Sequence, residues 1–403
     1  MFEKQVSLLL AAFFATVASF TLQAALLQAA EPPADEIVIG THQSLSGPLA
    51  PWGRPIANGM RMRVEQANAA GGIHGRALRL VVEDSGYDPS RAALATRKMV
   101  EVDRVFAILG TQGTPTSAVS LPIALEAGVP FLFPISGATM FFEPFDRLKY
   151  SFVVPTGAAV GAGLDYLLAE TEAMTVCALY QDDAYGQGVL DGAKAALTSH
   201  GMKLAAAEPY ARGETRFGAP IAKLRRAECE LIVLGTIIRE TVAAMAEAGR
   251  ADWSPIFLVS PGGYTAEVAA LGGDTVEGLY GVGQLPIPDP DAAARPVAEW
   301  LSDYEMRFGE AGGLPAIAGY NTIDLFVRAA EAAGPEPTVD RLIAALDAIR
   351  GYETIFGSTP VSFSPTCRLG STEVFVARIE GGRWRNDSDF LPTPPPEGCP
   401  SAR

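Results

Sequence analysis

Between Glu36 and Gly137 the chain three times follows a short apolar run with a loop of small residues, and few folds accept that order. Ile37-Val38-Ile39 leads into Ser44-Leu45-Ser46-Gly47-Pro48 and then Trp52-Gly53. Val105 to Leu109 leads into Gly110-Thr111-Gln112-Gly113-Thr114-Pro115, and Val129 to Phe133 into Pro134-Ile135-Ser136-Gly137-Ala138. Each run reads as a buried parallel strand whose C-terminal end opens into a loop and then a helix. Small ligands of open α/β sheets sit at that edge. The groups offered there are hydroxyls and backbone N–H, without a nucleophile–base pair or a metal-ligating cluster. Such an edge suits a protein that holds a small molecule without transforming it.

The alternation continues. Ile56 to Ala69 reads as a helix stopped by Gly71-Gly72. Asp88-Pro89-Ser90 supplies a cap and a first-turn proline for the next helix. A second series starts near Thr156, with strands expected at 174–180, 203–207, 230–235 and 256–260 between helices. Two β-α-β series of similar size predict two parallel-sheet lobes. Past Gln284 the pattern changes to helices at 292–308, 317–333 and 339–349, with no strands between them. These helices must cover an existing sheet, so the chain is expected to cross between lobes near Val154-Pro155, near Gln284 and near Gly357-Ser358, making a three-stranded hinge with a cleft. The expected division is 36–155 plus 285–357 for the first lobe and 156–284 plus 358–391 for the second, with a loose proline-rich tail at 392–403.

Composition narrows the function. The 403 residues carry a formal net charge of −15, which argues against nucleic acid, whose binding needs basic patches. Val6 to Leu27 is almost wholly apolar after Lys4, and residues 1–30 read as a secretory leader, with an uncleaved anchor as the alternative. Three histidines and no C-x-x-C pair make a zinc site unexpected. Neither a dinucleotide nor a P-loop fingerprint occurs, so no cofactor is expected. Of the four cysteines, Cys177 lies in an apolar strand and reads as a small core residue, whereas Cys367 and Cys399 flank the C-terminal segment and are candidates for a disulfide.

Several motifs resemble those of the Leu/Ile/Val-binding protein family: Leu45-Ser46-Gly47-Pro48, Asn68-Ala69-Ala70-Gly71-Gly72-Ile73-His74-Gly75, Glu83-Asp84-Ser85-Gly86-Tyr87-Asp88-Pro89 and Tyr185-Gly186-Gln187-Gly188. They occur in the family's order between Glu36 and Trp384. The resemblance implies an α/β protein of type I periplasmic-binding fold, two doubly wound lobes, periplasmic location, a monomeric state and membrane permease subunits of an ABC importer as partners. It places first-lobe ligand contacts on Trp52, Thr114 and the segment Ile135-Ser136-Gly137, and a second-lobe aromatic contact on Tyr185; Gly113, Ile237 and Gly262 beside these positions are further candidate contacts. From the sequence itself, Thr114-Pro115 reads as a helix N-cap and first-turn proline, which would set the positive end of a helix against a carboxylate.

The departures shape the expected ligand. The family's amino-acid binders hold the ligand's ammonium group with a second-lobe acid, whose position here falls near Pro261; a second-lobe tyrosine of the family falls near Ile237. The family's first-lobe disulfide positions hold Tyr87 and Gly113. Without the acid, burying an ammonium group is unfavourable, so the expected guest is an anionic or neutral organic molecule, with an aromatic or aliphatic carboxylate favoured over an amino acid such as leucine. Asp182, Asp183 and Glu240 are candidate replacements for the missing acid. A periplasmic sensor remains the alternative function, with an exported enzyme disfavoured.

Overall fold

The computed structural model describes residues 36–396, 398 and 399. The expected leader at 1–30 lies outside the described residues. The first lobe opens with β1 (Glu36–Gln43), α1 (Ala50–Ala69), β2 (Ala77–Asp84), α2 (Pro89–Glu101), β3 (Ala107–Leu109), α3 (Thr114–Glu126), β4 (Phe131–Leu132) and β5 (Lys149–Tyr150). Its five strands are all parallel, in the order β2-β1-β3-β4-β5. The near-continuous apolar strands reflect burial on both faces; after Glu36, every residue of β1 is buried.

The second lobe runs through α4 (Thr156–Glu170), β6 (Val176–Gln181), α5 (Ala184–Ser199), β7 (Ala206–Tyr210), α6 (Gly218–Arg226), β8 (Leu231–Gly235), α7 (Ile238–Arg250), β9 (Ile256–Val259), α8 (Ala266–Gly272) and β10 (Tyr280–Gly283). The chain then returns to the first lobe as α9 (Arg295–Phe308), α10 (Leu314–Ala332) and α11 (Val339–Asp347); α10 and α11 join the core of its sheet, whereas α9 packs through Val297, Trp300 and Tyr304 into a cluster with Met62 of α1 and Ile317 of α10. Helix α10 lies directly on α1; a side chain on Gly59 would strike the Ala316 carbonyl oxygen, and one on Gly319 the Ile56 carbonyl oxygen. Finally β11 (Glu373–Glu380), β12 (Arg383–Asn386) and β13 (Leu391–Pro392) join the second sheet. Strands β6 to β10 are parallel, whereas β11 pairs antiparallel with β10, β12 and β13.

Three expectations need correction. The third crossing lies at Ser371-Thr372 and not at Gly357-Ser358, because Tyr352, Val361 and Phe363 pack in the first lobe's core and Ser151 bridges Leu369. The described part of the expected loose tail is held in place: Thr393 is buried, and its hydroxyl and N–H both donate to the Thr372 carbonyl. Cys177 is not a free core thiol but is bonded to Cys229, which lies just ahead of the neighbouring strand β8. The Cys367–Cys399 pairing is present and ties Cys399 to the first lobe.

Candidate ligand cleft

The carboxyl ends of β1, β3 and β4 face those of β6, β8 and β9 across the lobe junction. Loops leaving these ends line a cavity between the lobes. All nine residues singled out in the sequence lie on its wall: Trp52, Gly113, Thr114, Ile135, Ser136 and Gly137 from the first lobe, Tyr185, Ile237 and Gly262 from the second. The sequence reading missed Leu49, Tyr87, Gln112, Val153, Val154, Thr156 and Pro261 as wall residues.

Local chemistry fixes each wall. The Asp84 carboxylate accepts from the N–H groups of Leu45 and Ser46, the Ser46 hydroxyl and the Arg91 guanidinium, which folds the loop ahead of Trp52. Burial works against its charge, but the hydrogen bonds from Ser46, Gly86 and Arg91 hold the carboxyl down at about 2. Gly113 sits at φ +86, and a side chain there would come within 2.6 Å of the Tyr87 ring. Gly113 is therefore the N-cap of α3, and Thr114 is its first helical residue, a correction to the expected Thr114 cap. The freed Thr114 hydroxyl instead pairs with the Ser136 hydroxyl at 2.7 Å. On the second lobe, Asp183 caps α5 through the N–H groups of Tyr185 and Gly186. The Tyr185 hydroxyl contacts Ser260 Oγ at 2.6 Å and the Thr236 carbonyl at 3.2 Å, which leaves its ring to the cavity. A side chain at Gly262 would strike that hydroxyl.

The wall contains no Asp, Glu, Lys, Arg or His. The candidate replacement acids are placed elsewhere: Asp183 is engaged by its cap and by Gln181 Nε2 at 2.6 Å, Glu240 is buried, and Asp182 is exposed, none of the three on the wall. Donors, by contrast, accumulate. Trp52 Nε1–H is buried without a partner. Tyr87 accepts from Gln181 Nε2 at 3.1 Å, which leaves its own O–H to donate; burial pushes that phenol well above its ordinary pKa, so it stays protonated. The Thr114–Ser136 pair uses one O–H on itself and keeps one for a guest. The N-termini of α3 and α4, both at the wall, carry no side-chain cap. Two uncapped helix N-termini and several neutral donors make a pocket that is electropositive without a formal charge.

Contacts also cross the cleft. Besides Gln181 to Tyr87, the Arg212 guanidinium donates to the Tyr87 carbonyl at 2.9 Å and lies 5.1 Å from its ring centroid. Leu49, Tyr87 and Ile237 form one apolar cluster with Trp52 and Tyr185 packed against it. Among the described residues no cluster of His, Cys, Asp or Glu fit for a metal occurs, and no helix is long and apolar enough to cross a membrane.

A family profile described as periplasmic binding protein matches residues 36–383. An amino acid binding protein from Pseudomonas aeruginosa is 27% identical over 270 residues, spanning 64% of this chain and 70% of that relative. A branched-chain amino acid ABC transporter protein from Thermus thermophilus with bound valine superposes with a TM-score of 0.81 at 16% identity, over 89% of this chain and 97% of the other. A solute-binding protein of an ABC transporter from R. palustris in complex with benzoate superposes with a TM-score of 0.80 at 17% identity, over 90% and 99%.

Proposed function

The chain belongs to the periplasmic binding protein family, of the Leu/Ile/Val-binding type, and from that premise we propose that it is the extracytoplasmic solute receptor of an ABC importer, capturing a small organic carboxylate. The family works outside the cytoplasm on small molecules, which gives the receptor role its context. One observation carries the ligand reading: the cleft wall is rich in hydrogen-bond donors and holds no carboxylate.

A carboxylate guest can take hydrogen bonds from the Thr114–Ser136 hydroxyl pair, Tyr87 O–H and the uncapped start of α3. Each such bond to a charged group contributes about 1.5–3 kcal/mol. A zwitterionic amino acid would bring the same carboxylate but also an ammonium group, which finds only neutral acceptors here and would lose hydration without a countercharge. The same fold accommodates valine in one structural relative and benzoate in another, so it does not require an amine. The receptor acts as a monomer, holds its guest unchanged and delivers it to membrane permease subunits.

Calorimetric titration of purified protein with aliphatic and aromatic carboxylates, alongside leucine, isoleucine and valine, tests the reading. The expected result is micromolar binding of one or more simple carboxylates and no detectable heat from branched-chain amino acids. Micromolar binding of leucine, or turnover of any ligand during incubation, overturns it.

A further inference from the structure

Behind Trp52 lies a second cavity, in the hinge itself. All three crossings border it, through Phe152-Val153, Gly283-Gln284-Leu285 and Ser371. Trp52, Ile135, Val153 and Pro261 line both this chamber and the ligand cleft, so the two spaces share a wall in which the indole is the largest side chain.

Most of the chamber's polar side chains have hydrogen-bond partners within the protein. The Gln284 amide accepts from Val154 N–H at 2.8 Å and donates to the Phe152 carbonyl at 3.3 Å. Tyr352 donates to Asp324 at 2.6 Å, and Thr359 and Ser371 pair at 3.0 Å. Asn321 is the exception. Its side chain is 7% exposed, lines the chamber from α10, and its amide oxygen has no hydrogen-bond partner. A buried amide oxygen left unpaired costs stability unless something fills its place. Along α10, Leu314, Ala318, Asn321 and Leu325 follow the i, i+4, i+7, i+11 spacing of one helix face, so the amide sits within an apolar stripe. Among the described residues, the other buried polar group on these walls without a partner is a donor, Trp52 Nε1–H, at the boundary with the cleft.

We propose that the ligand cleft continues past Trp52 into this hinge chamber, which receives the apolar body of a carboxylate whose far end carries a hydrogen-bond donor for Asn321. The proposal rests on the carboxylate reading above and narrows it to elongated hydroxy- or amide-terminated acids. Placing the apolar body among all three crossings also makes occupancy of the chamber sensitive to the angle between lobes.

The test titrates the full chain with unbranched ω-hydroxy acids of increasing length and with their parents lacking the hydroxyl. Affinity is expected to rise with chain length, and the longer hydroxy acids to bind about fivefold tighter than their parents, the ratio a single hydrogen bond supports. Ala318→Phe, which projects a ring into the chamber, should abolish the gain with length while leaving acetate and propionate unaffected. Asn321→Leu should abolish the preference for the hydroxyl while keeping the gain with length. A length gain that survives Ala318→Phe, a hydroxyl preference that survives Asn321→Leu, or no gain with length at all overturns the proposal.

If no carboxylate binds, the cleft reading fails separately, and neutral alcohols then probe the chamber alone. Thermal stabilisation by 1-hexanol that Ala318→Phe removes supports an accessible chamber. Absence of that stabilisation in the parent protein sinks it. Short-acid affinity and melting temperature serve as folding controls for both variants.

Discussion

At Thr114 and Ser136 two hydroxyls 2.7 Å apart share one internal hydrogen bond, and the remaining O–H has no other destination than the cleft. Ser136→Ala removes that donor and leaves Thr114 to turn its own hydroxyl toward the guest, so the loss should sit near the lower end of the range for a charged acceptor, about 1.5 kcal/mol. The double change Thr114→Val with Ser136→Ala removes both, and affinity for a bound carboxylate should fall by about 3 kcal/mol with a nearly unchanged melting temperature; calorimetry beside thermal melting reads both quantities. An unchanged affinity in the double variant would place the carboxylate elsewhere on the wall. At this scale the sequence was informative where chemistry was local. Trp52, Thr114, Ser136 and Tyr185 follow strand ends, and that position alone aims them at a sheet edge. Tyr87 was not legible. The sequence shows it within a family-like motif and at a position where the family has a cysteine, neither of which points to a ligand contact, and its backbone at φ +61, which turns the ring under Gly113, has no sequence signature for a non-glycine residue.

Among the elements, β1 carries a buried polar run that apolar periodicity does not explain: Thr41, His42 and Gln43 are all fully buried. His42 Nε2 meets Ser120 Oγ of α3 at 2.9 Å, so the imidazole links the central strand to the helix that starts at the ligand cleft. Burial drives its pKa from 6.5 down to about 3. The unfolded chain therefore takes up a proton below pH 6.5 that the folded chain refuses until about pH 3. The neutral imidazole's contribution is intact above the upper value and is lost as pH falls through the window, at about 1.4 kcal/mol for each pH unit. Urea unfolding at pH 7, 5 and 4 should show a steeper decline for the parent protein than for His42→Gln, which keeps a polar group facing Ser120 without a titrating ring. Parallel declines would mean that carboxylates elsewhere govern acid sensitivity. Element order was readable from alternation, but partner choice was not. Cys177 and Cys229 are 52 residues apart in sequence, and their bond depends on β6 and β8 being neighbours, a fact of sheet order that strand periodicity does not encode. The third crossing was misplaced for a related reason. The stretch from Tyr352 to Leu369 is irregular and anchors to the first lobe through Phe363 and an isolated bridge at Ser151, neither of which has a repeat to read.

For the molecule as a whole, capture and release depend on two lobes that touch through few polar contacts away from the hinge. At the rim, Arg212 of the second lobe reaches Tyr87 of the first, donating to its carbonyl at 2.9 Å and lying over its ring, while Asp183 at 3.5 Å holds the guanidinium in place. At the hinge, the Gln284 amide ties the second crossing to the first. The rim contact can form only when the lobes are together, so it stabilises the loaded, closed arrangement and contributes nothing to an opened one. Its removal should appear in the dissociation rate, because ligand first meets the open cleft before Arg212 engages. A hydrogen bond and a partly exposed cation–π contact together contribute about 1–2 kcal/mol. Arg212→Ala should therefore raise the dissociation rate of a bound carboxylate by roughly five- to thirtyfold, with association changed little. Stopped-flow following tryptophan fluorescence measures both rates, and small-angle scattering of the ligand-saturated variant should show a population of more open molecules. Gln284→Ala provides the contrast, because its contacts join adjacent crossings and do not depend on the lobes meeting at the rim. Its effect should fall on thermal stability, with the dissociation rate less affected than in Arg212→Ala. A dissociation rate unmoved by Arg212→Ala would transfer control of release from the rim to the hinge, where the chamber behind Trp52 lies.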